Sequence, residues 1–402
     1  MLNVSYRTIS TLVALMVMLT YTAWGQSEKI IHTFSGGNDG AVPLAGLISD
    51  SNGNFYGTTE SGGINGAGTV FQLTPNSSGT WSETILYTFN FDGSGDAAFP
   101  TSSLIFDAQG NLYGTALAGG SVGQGAIFEL SPQANKVWTE KILYSFAGGT
   151  DGGFLYGEGL TLDSKGNLYG TSDLGGVHGF GAIFELVAGA NGTWTKKILH
   201  NFTGGNDGAA SQGQQLSFDA AGNLYGMAGA GPNDYGLVFE LMHQSNGSWT
   251  EKTVHAFTGG ADGASGPSTL IIDAAGNIYA ASTFSVFQLI PGTNGTWTKK
   301  DLHVFSGGVD GASPESRLVF DKAGNLYGTT RSGGVHRGTV FELSPNADGS
   351  WSEKILHKFG QTAADGSFPF FAGLAVGIDG NLYGTTESGG TSGAGVVFSI
   401  KP

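Results

Sequence analysis

The sequence predicts an all-β protein folded as a seven-bladed β-propeller with four-stranded antiparallel blades. Three observations predict it: one core motif returns seven times, each copy contains four short strand patterns and no helix pattern, and the chain ends carry complementary parts of one blade. Repeats of about 20–50 residues are typical of solenoids, propellers and arrays. The alternatives are a β-helix, whose coils are much shorter, and an open array of small β-domains.

The core motif is Gly-Asn-(Leu/Phe/Ile)-Tyr, and its copies are separated by 57, 56, 56, 54, 48 and 56 residues. Because all copies can share one closed ring, the sequence predicts a single domain over residues 26–402. The repeat cores are residues 53–59, 110–116, 166–172, 222–228, 276–282, 324–330 and 380–386.

Each repeat contains four strands in a fixed order. A stretch such as WSETILYTF at 81–89 alternates and is rich in aromatic and β-branched residues, which predicts a strand. A glycine turn of the form F-x-G-G-x-D-G-A, as at 202–209, leads to a short apolar strand ending in Asp. The Asp-x-x-Gly-Asn turn, whose Asp is missing at Gly377, precedes the core strand. After a glycine-rich loop, a Val-Phe-Glu-Leu strand closes the unit.

The two ends of the chain predict how the ring closes. Residues 28–34 (EKIIHTF) are of the strand type that follows each Val-Phe-Glu-Leu strand, whereas the last strand, at 397–400, has no such successor. Pairing the N-terminal strand with the C-terminal blade would remove two exposed sheet edges. We therefore predict that this pair closes the propeller.

Composition restricts the function classes. The net charge of −15 argues against nucleic-acid and anionic-lipid binding, which require basic patches. With 12% charged and 40% hydrophobic residues, the chain is too apolar for intrinsic disorder. The absence of cysteine excludes disulfides and Cys-based metal sites.

Residues 1–25 have the pattern of a signal peptide. Arg7 supplies a positive n-region, residues 11–20 form an apolar segment, and Ala23 and Gly25 are small residues suited to cleavage before Gln26. A single membrane anchor is the alternative, but the apolar run is shorter than the ~20 residues that a span needs. We expect a secreted protein, extracellular or periplasmic, with no membrane insertion after cleavage.

The pattern GNLYGTT-x-x-GG-…-GTVFEL resembles the Gloeobacter/Verrucomicrobia tandem repeat (GloVer) family of exported bacterial proteins. The resemblance covers nearly all of residues 28–402. It implies an extracellular or cell-surface role. It assigns no activity, so no functional residue is carried over to this chain.

An Asp recurs in each F-x-G-G-x-D turn, and these turns share one face with the glycine-rich loops. Carboxylates and loop carbonyls suit calcium, but an Asp at this place also caps its own turn, and we predict the capping role with no metal and no cofactor. A His on the preceding strand alternates with Tyr87 and Tyr144, which favours packing over metal ligation. The aspartates are Asp39, Asp96, Asp151, Asp207, Asp262, Asp310 and Asp365, and the histidines are His32, His200, His255, His303 and His357.

Function in a repeat scaffold is expected where the copies differ. Polar residues that do not repeat are concentrated in the third and sixth repeats, and drift of exposed loops is the alternative explanation. No catalytic residue is predicted, because no nucleophile triad or metalloprotease motif occurs. The candidate ligand-binding residues are Tyr156, Glu158, Asp173, His178, Arg317, Arg331, His336 and Arg337.

These observations favour a monomeric, secreted, non-enzymatic repeat propeller that binds or scaffolds an extracellular glycan, peptide or protein on its loop-rich face. The alternative is a propeller enzyme acting on polysaccharide, a hydrolase or lyase that uses carboxylates and His of the same loops. Fold alone does not decide between them.

Overall fold

The computed structural model describes residues 28–135, 137–157, 159–210, 214–266, 268–371 and 373–402. The predicted signal peptide and Glu158 lie outside the described residues. Seven four-stranded antiparallel sheets and two short ribbons make up the fold, which confirms the seven-bladed β-propeller. The described part of the chain contains no α-helix, only 3-10 turns at Gly149–Asp151, Ala190–Gly192, Gly260–Asp262 and Thr293–Gly295. None of its helices is long and apolar enough to cross a membrane.

The strands follow the order predicted from the repeat, from a two-residue inner strand to an eight-residue outer strand. The chain begins with β1 (Lys29–Thr33). Blades one to three contain β2 (Ile48–Ser49), β3 (Phe55–Thr59), β4 (Thr69–Pro75) and β5 (Trp81–Thr88); β7 (Ile105–Phe106), β8 (Leu112–Ala116), β10 (Ala126–Pro132) and β11 (Trp138–Ser145); and β12 (Thr161–Leu162), β13 (Leu168–Ser172), β14 (Ala182–Ala188) and β15 (Trp194–Asn201). A ribbon of β6 (Ala97–Ala98) and β9 (Ala118–Gly119) lies beside blade two.

The remaining blades repeat this arrangement. Blades four to six contain β16 (Ser217–Phe218), β17 (Leu224–Ala228), β18 (Leu237–His243) and β19 (Trp249–Ala256); β20 (Ile271–Ile272), β21 (Ile278–Ala281), β22 (Ser285–Pro291) and β23 (Trp297–Val304); and β24 (Val319–Phe320), β25 (Leu326–Thr330), β26 (Thr339–Pro345) and β27 (Trp351–Lys358). Blade seven contains β29 (Ala375–Val376), β30 (Leu382–Thr386) and β32 (Val396–Ile400), with a ribbon of β28 (Gly366–Ser367) and β31 (Ser388–Gly389).

The ring closes as predicted. Strand β1 pairs antiparallel with β32 and becomes the outer strand of blade seven, with Ile30 opposite Phe398. All five residues of β32 are buried, so its edge is covered on both sides.

Packing within and between blades explains the strictness of the motif. In blade one, a Cβ added at Gly57 would lie 2.6 Å from Cζ of Phe71, so this Phe packs directly on the core strand. The core Tyr contacts the next blade, because the Tyr56 ring lies 5.0 Å from that of Phe106. Blade five carries Ala280 at the position of Gly57, and both Ala280 and the corresponding Phe287 are fully buried there.

The Asp-x-x-Gly-Asn turn is held by its Asp. In blade six, Asp321 accepts hydrogen bonds from the Asn325 backbone N–H (2.9 Å), the Asn325 side-chain amide (2.8 Å) and the Tyr327 hydroxyl (3.0 Å). Blade seven has Gly377 at the Asp position, and there Asp379 accepts from the corresponding Asn and Tyr instead. The carboxylate is therefore kept in blade seven, supplied from two residues later.

We expect Asp321→Ala and Asp379→Ala each to lower the free energy of unfolding by about 1–3 kcal/mol, because the Asn amide and Tyr hydroxyl lose their acceptor. Thermal denaturation followed by circular dichroism measures this effect. The control is Asp348→Ala on an exposed hairpin turn, where the lost bonds from Ser350 are replaced by water, so the midpoint should change much less. A blade-seven variant as stable as the unmodified protein would contradict the compensating role of Asp379.

Candidate functional site

The residue after each repeat core lies just beyond the end of the second strand of its blade, on the loop-rich face. This position varies although its neighbours are nearly constant, and it carries Glu60, Leu117, Asp173, Gly229, Thr283, Arg331 and Glu387. Four of the seven are charged. The otherwise strict repeat therefore places one variable residue per blade, and these seven residues are arranged in a circle around the loop-rich face.

The surroundings of Tyr156 show that some of these variable side chains lie near the central axis of the propeller. It belongs to the segment entering blade three, yet the charges of Glu60, Glu387 and Arg331, from blades one, seven and six, act on its hydroxyl. Side chains from these blades meet only near the axis of the ring. We define the axial mouth as Glu60, Tyr156, Glu315, Arg331, Phe370, Phe371 and Glu387.

Longer crossing segments bring the aromatic residues into the mouth. The segment from the turn Asp to the inner-strand Leu has ten residues at 151–160, 207–216 and 365–374, and nine in the other four blades. In two of these three segments the extra length accompanies Tyr156 and Phe371, whose rings lie 5.8 Å apart at a T-shaped angle. Phe371 has a φ of 50°, in the left-handed region that is strained for a bulky residue.

The aromatic and charged groups form one connected set. The rings of Phe370 and Phe371 stack with centroids 3.8 Å apart, and Arg331 Cζ lies 4.1 Å from the Phe370 centroid. Arg331 Nη1 in turn lies 4.0 Å from Glu315 Oε2. The half-exposed Arg331 is therefore held by an aromatic face and one carboxylate, while part of its guanidinium remains open to solvent.

Two carboxylates of the mouth oppose each other. Burial, and then the charge of Glu387, raise the pKa of Glu60 above its ordinary value. Burial also raises the pKa of Glu315, although Arg331 acts in the opposite direction. A donor-rich or cationic ligand would relieve the repulsion between Glu60 and Glu387.

Arg317 lies in the central channel next to the mouth, immediately before inner strand β24. Its Nη1 donates a hydrogen bond to Gln215 Oε1 of blade four at 3.2 Å. Burial lowers the pKa of its guanidinium, yet the side chain remains accessible to water. A central channel that is surrounded by protein but open to solvent accounts for both observations.

The other predicted residues separate into groups. Tyr156 and Arg331 meet in the mouth, and Asp173 occupies the equivalent ring position in blade three. His178 and His336 are exposed on loops of blades three and six, which are not neighbours in the ring. Arg337 lies between blades six and seven, where its Nη1 donates to Ser367 Oγ at 3.1 Å. Glu158 is outside the described residues.

Sequence reasoning missed Glu60, Glu387, Phe370 and Phe371. The two glutamates were overlooked because GTTE resembles another faithful copy of the motif. The signal was present in two places: the variable position after the core, and the extra residue in the crossing segment.

The Asp of each F-x-G-G-x-D turn caps its own turn, as predicted. Asp207, for example, accepts a hydrogen bond from the Thr203 backbone N–H at 3.1 Å and also lies 3.1 Å from His200 Nε2. The corresponding backbone bond is present in all seven turns, including those of Asp96 and Asp365, whose sequences depart from F-x-G-G-x-D.

A cleft of about 890 Å³ lies on the opposite face between blades three and four. Its polar groups already pair with one another: the Asn167 amide donates to Asp163 at 3.0 Å, and the Tyr169 hydroxyl donates to Glu185 at 2.9 Å. Because the same Asp-Asn pair recurs in other blades as a turn support, we place the candidate site at the axial mouth.

Solved structures with the same architecture share little sequence with this chain. A catalytically inactive variant of virginiamycin B lyase from Staphylococcus aureus, solved with quinupristin, is 13% identical with a TM-score of 0.57, over 94% of this chain and 99% of that one. A protein from Lactobacillus plantarum is 12% identical with a TM-score of 0.53, over 77% of this chain and 83% of that one. At this identity the likeness shows the fold alone.

The chain matches no curated protein. The sequence profile of the Gloeobacter/Verrucomicrobia repeat matches residues 17–195 and 281–402, which is more than half of the chain. This match agrees with the resemblance carried by the GNLYGTT and GTVFEL motifs. The protein is therefore a member of the Gloeobacter/Verrucomicrobia repeat family.

Proposed function

We propose that this protein is a non-enzymatic binding propeller, exported from the cell, whose axial mouth binds a glycan. The observation that carries the proposal is the convergence of carboxylates, a guanidinium and aromatic rings from four blades at Tyr156. Carboxylate and guanidinium groups hydrogen-bond to sugar hydroxyls, and aromatic rings provide apolar contact area.

The placement of the site supports this role. The mouth residues occupy positions that vary in an otherwise strict repeat, so they are not needed for the packing that all blades share. The half-buried Glu60 and Glu387 repel each other without a ligand, so hydroxyl donors inserted between them would be favoured. Export is supported by the signal-peptide pattern of residues 1–25.

The test is a glycan array followed by titration calorimetry with the best ligand. We expect Glu60→Gln and Arg331→Ala each to weaken binding by at least about tenfold, the effect of losing one charge-assisted hydrogen bond. Both side chains are partly solvent-accessible, so the folded state should survive the changes.

The matched control is Glu185→Gln in the cleft on the opposite face, which should leave affinity unchanged. Loss of binding in Glu185→Gln but not in Glu60→Gln would contradict the mouth as the site. If the protein binds peptides and no glycan, the ligand of the mouth is a peptide and the glycan proposal is wrong.

One observation favours a second candidate, a polysaccharide hydrolase or lyase. Burial, and then the charge of Glu387, raises the pKa of Glu60, and a carboxyl with a raised pKa beside a second carboxyl is the arrangement of acid/base glycosidic cleavage. Turnover of a polysaccharide, measured as new reducing or unsaturated ends and abolished in both Glu60→Gln and Glu387→Gln, would establish this candidate. Binding without product supports the non-enzymatic proposal.

A further inference from the structure

A second set of polar residues lies at the outer rim of the loop-rich face, between adjacent blades. Each junction combines the His or Tyr of one outer strand, the turn Asp that follows it, and the third residue of the next outer strand. We call these groups rim junctions. Their members are His32, Asp39 and Glu83; Tyr87, Asp96 and Glu140; Tyr144, Asp151 and Lys196; His200, Asp207 and Glu251; His255, Asp262 and Lys299; His303, Asp310 and Glu353; and His357, Asp365 and Glu28.

Two junctions bring three ligand-type atoms together. His357 Nε2 lies 3.1 Å from Asp365 Oδ1 and 3.5 Å from Glu28 Oε2. In both this junction and that of His32, Asp39 and Glu83, one atom from each side chain lies within 4.8 Å of the others. Ligand atoms on a tetrahedral zinc lie about 3.3 Å apart, given bonds of about 2.0–2.1 Å.

Glu28 supplies an independent sign that a ligand is missing. Its side chain is only 10% exposed, and its Oε1 has no hydrogen-bond partner among the described residues. The facing Asp365 side chain is 3% exposed and also acidic. In the other junction, His32 Nε2 and Glu83 Oε1 lack a hydrogen bond in the same way. Buried carboxylates without a compensating cation or proton are costly.

The chain itself places a cation in the same position in two other blades. In the Tyr144 junction, Lys196 replaces the Glu, and its Nζ lies 2.6 Å from Asp151 Oδ1 with the side chain 7% exposed. In the His255 junction, Lys299 Nζ lies 3.3 Å from Asp262 Oδ1. Junctions with Lys at the third outer-strand position contain their own positive charge. Junctions with Glu at that position contain two carboxylates in the same space.

We propose that the two rim junctions Glu28–His357–Asp365 and His32–Asp39–Glu83 each bind one divalent transition-metal ion, with Zn²⁺ as the best-suited probe. An imidazole nitrogen with two carboxylate oxygens is a donor set for zinc-like ions rather than for calcium, which takes six or more oxygens. The ion replaces the Lys ammonium of the other junctions. Each ion joins two adjacent blades, since His357 and Glu28 belong to different outer strands.

This assignment goes beyond the sequence analysis, which favoured packing for the His position because Tyr replaces it. Tyr144 lies in the junction of Lys196, where the cation is already present. Tyr87 shares its junction with both carboxylates, Asp96 and Glu140, but it supplies a hydroxyl that donates to Asp96 at 3.2 Å instead of an imidazole nitrogen.

The junctions of His200 and His303 carry the same residue types, and there Glu251 Oε1, His303 Nε2 and Glu353 Oε1 also lack a hydrogen bond among the described residues. What distinguishes the two proposed sites is that one ligand atom from each of their three side chains converges within 4.8 Å.

The test is equilibrium dialysis and calorimetric titration of the mature chain with Zn²⁺ alone, after chelator treatment, and with Ca²⁺ in parallel. We expect two tightly bound Zn²⁺ per chain and no stoichiometric Ca²⁺. Glu28→Lys should reduce the stoichiometry to one, and the double variant Glu28→Lys with Glu83→Lys should reduce it to none. Lys is native at this repeat position in two blades, so these variants should fold.

The matched control is Glu251→Lys, the same change in the junction of His200, which should leave two sites. Circular dichroism confirms that each variant is folded. Absence of stoichiometric Zn²⁺, or two sites retained in the folded double variant, would overturn the proposal and leave a shared proton as the compensating charge. The variant His357→Tyr, which copies the native Tyr junctions, should independently remove one site.

Discussion

Deletion of residues 28–35 should destabilise the entire propeller rather than one blade. The deleted segment contains β1, whose removal would expose the edge of β32, a strand with every residue buried. It also contains Phe34, which is completely buried and lies 5.2 Å from Phe71 of blade one. Blade seven would lose its outer strand and its contact with blade one together, so the ring would open.

The expected loss of stability from this deletion is large relative to the total stability of a domain. Loss of a buried Phe alone typically costs about 3–5 kcal/mol, and total stabilities are about 5–15 kcal/mol. We therefore expect either no folded product or a midpoint lowered by more than ten degrees, with a single cooperative transition. The exposed β32 edge should also promote aggregation.

Thermal unfolding followed by circular dichroism, combined with size-exclusion chromatography, measures both effects. The variant Phe34→Ala removes the packing of this side chain but keeps the pairing of β1 with β32. It should therefore lower the midpoint by less than the deletion does. Removal of residues 401–402, which lie outside β32, is the control and should change little. A soluble, monomeric deletion variant with an unchanged midpoint would show that closure contributes nothing to stability.

The closing strand also shows why the fold was predictable from sequence. The period, the strand order and the complementary ends are local patterns repeated seven times, so each copy confirms the others. The capping role of the Asp in each turn could be predicted in the same way, because it depends on local hydrogen bonds. Blade seven departed from the pattern at Gly377, and only the structure revealed that Asp379 supplies the missing carboxylate.

The candidate site was predictable only in part, because it depends on which blades face each other across the axis. Tyr156 and Arg331 were found as polar departures from the repeat. Their partners Glu60 and Phe370 were not, since one resembles a faithful copy and the other an apolar packing residue. Ring geometry brings blades one, three, six and seven together, and no sequence spacing encodes that meeting.

Glu140→Lys should stabilise the protein at pH 8 by about 1–3 kcal/mol, a few degrees in the midpoint. Burial, followed by the charge of Asp96, raises the pKa of Glu140 to about 8. The neighbouring junction contains the same Tyr and Asp with Lys196 in the place of Glu140, and Lys196 Nζ lies 2.6 Å from Asp151 Oδ1. The substitution therefore copies a native arrangement and changes repulsion into attraction.

The raised pKa of Glu140 determines whether stability rises or falls with pH. The folded protein keeps the Glu140 proton up to about pH 8, whereas the unfolded chain releases it near pH 4.3. The folded state thus binds more protons between these values, so stability falls as pH rises through this window. Glu251, whose pKa is raised to about 7 by burial and Asp207, adds to the same trend. The midpoint of the unmodified protein should decrease from pH 7 to pH 8, above the range in which the lowered pKa values of the partly buried His32, His200, His255 and His303 act in the opposite direction.

Thermal unfolding at pH 5 and pH 8, in buffer containing chelator, separates these contributions. The gain in midpoint from Glu140→Lys should be larger at pH 8, because at pH 5 Glu140 is already neutral in the folded protein. Glu140→Gln, which removes the charge without adding a cation, should give a smaller gain at pH 8. The reverse change, Lys196→Glu, should lower the midpoint at pH 8 more than at pH 5. Equal effects of Glu140→Lys at both pH values would mean that repulsion between Glu140 and Asp96 does not limit the stability of this junction.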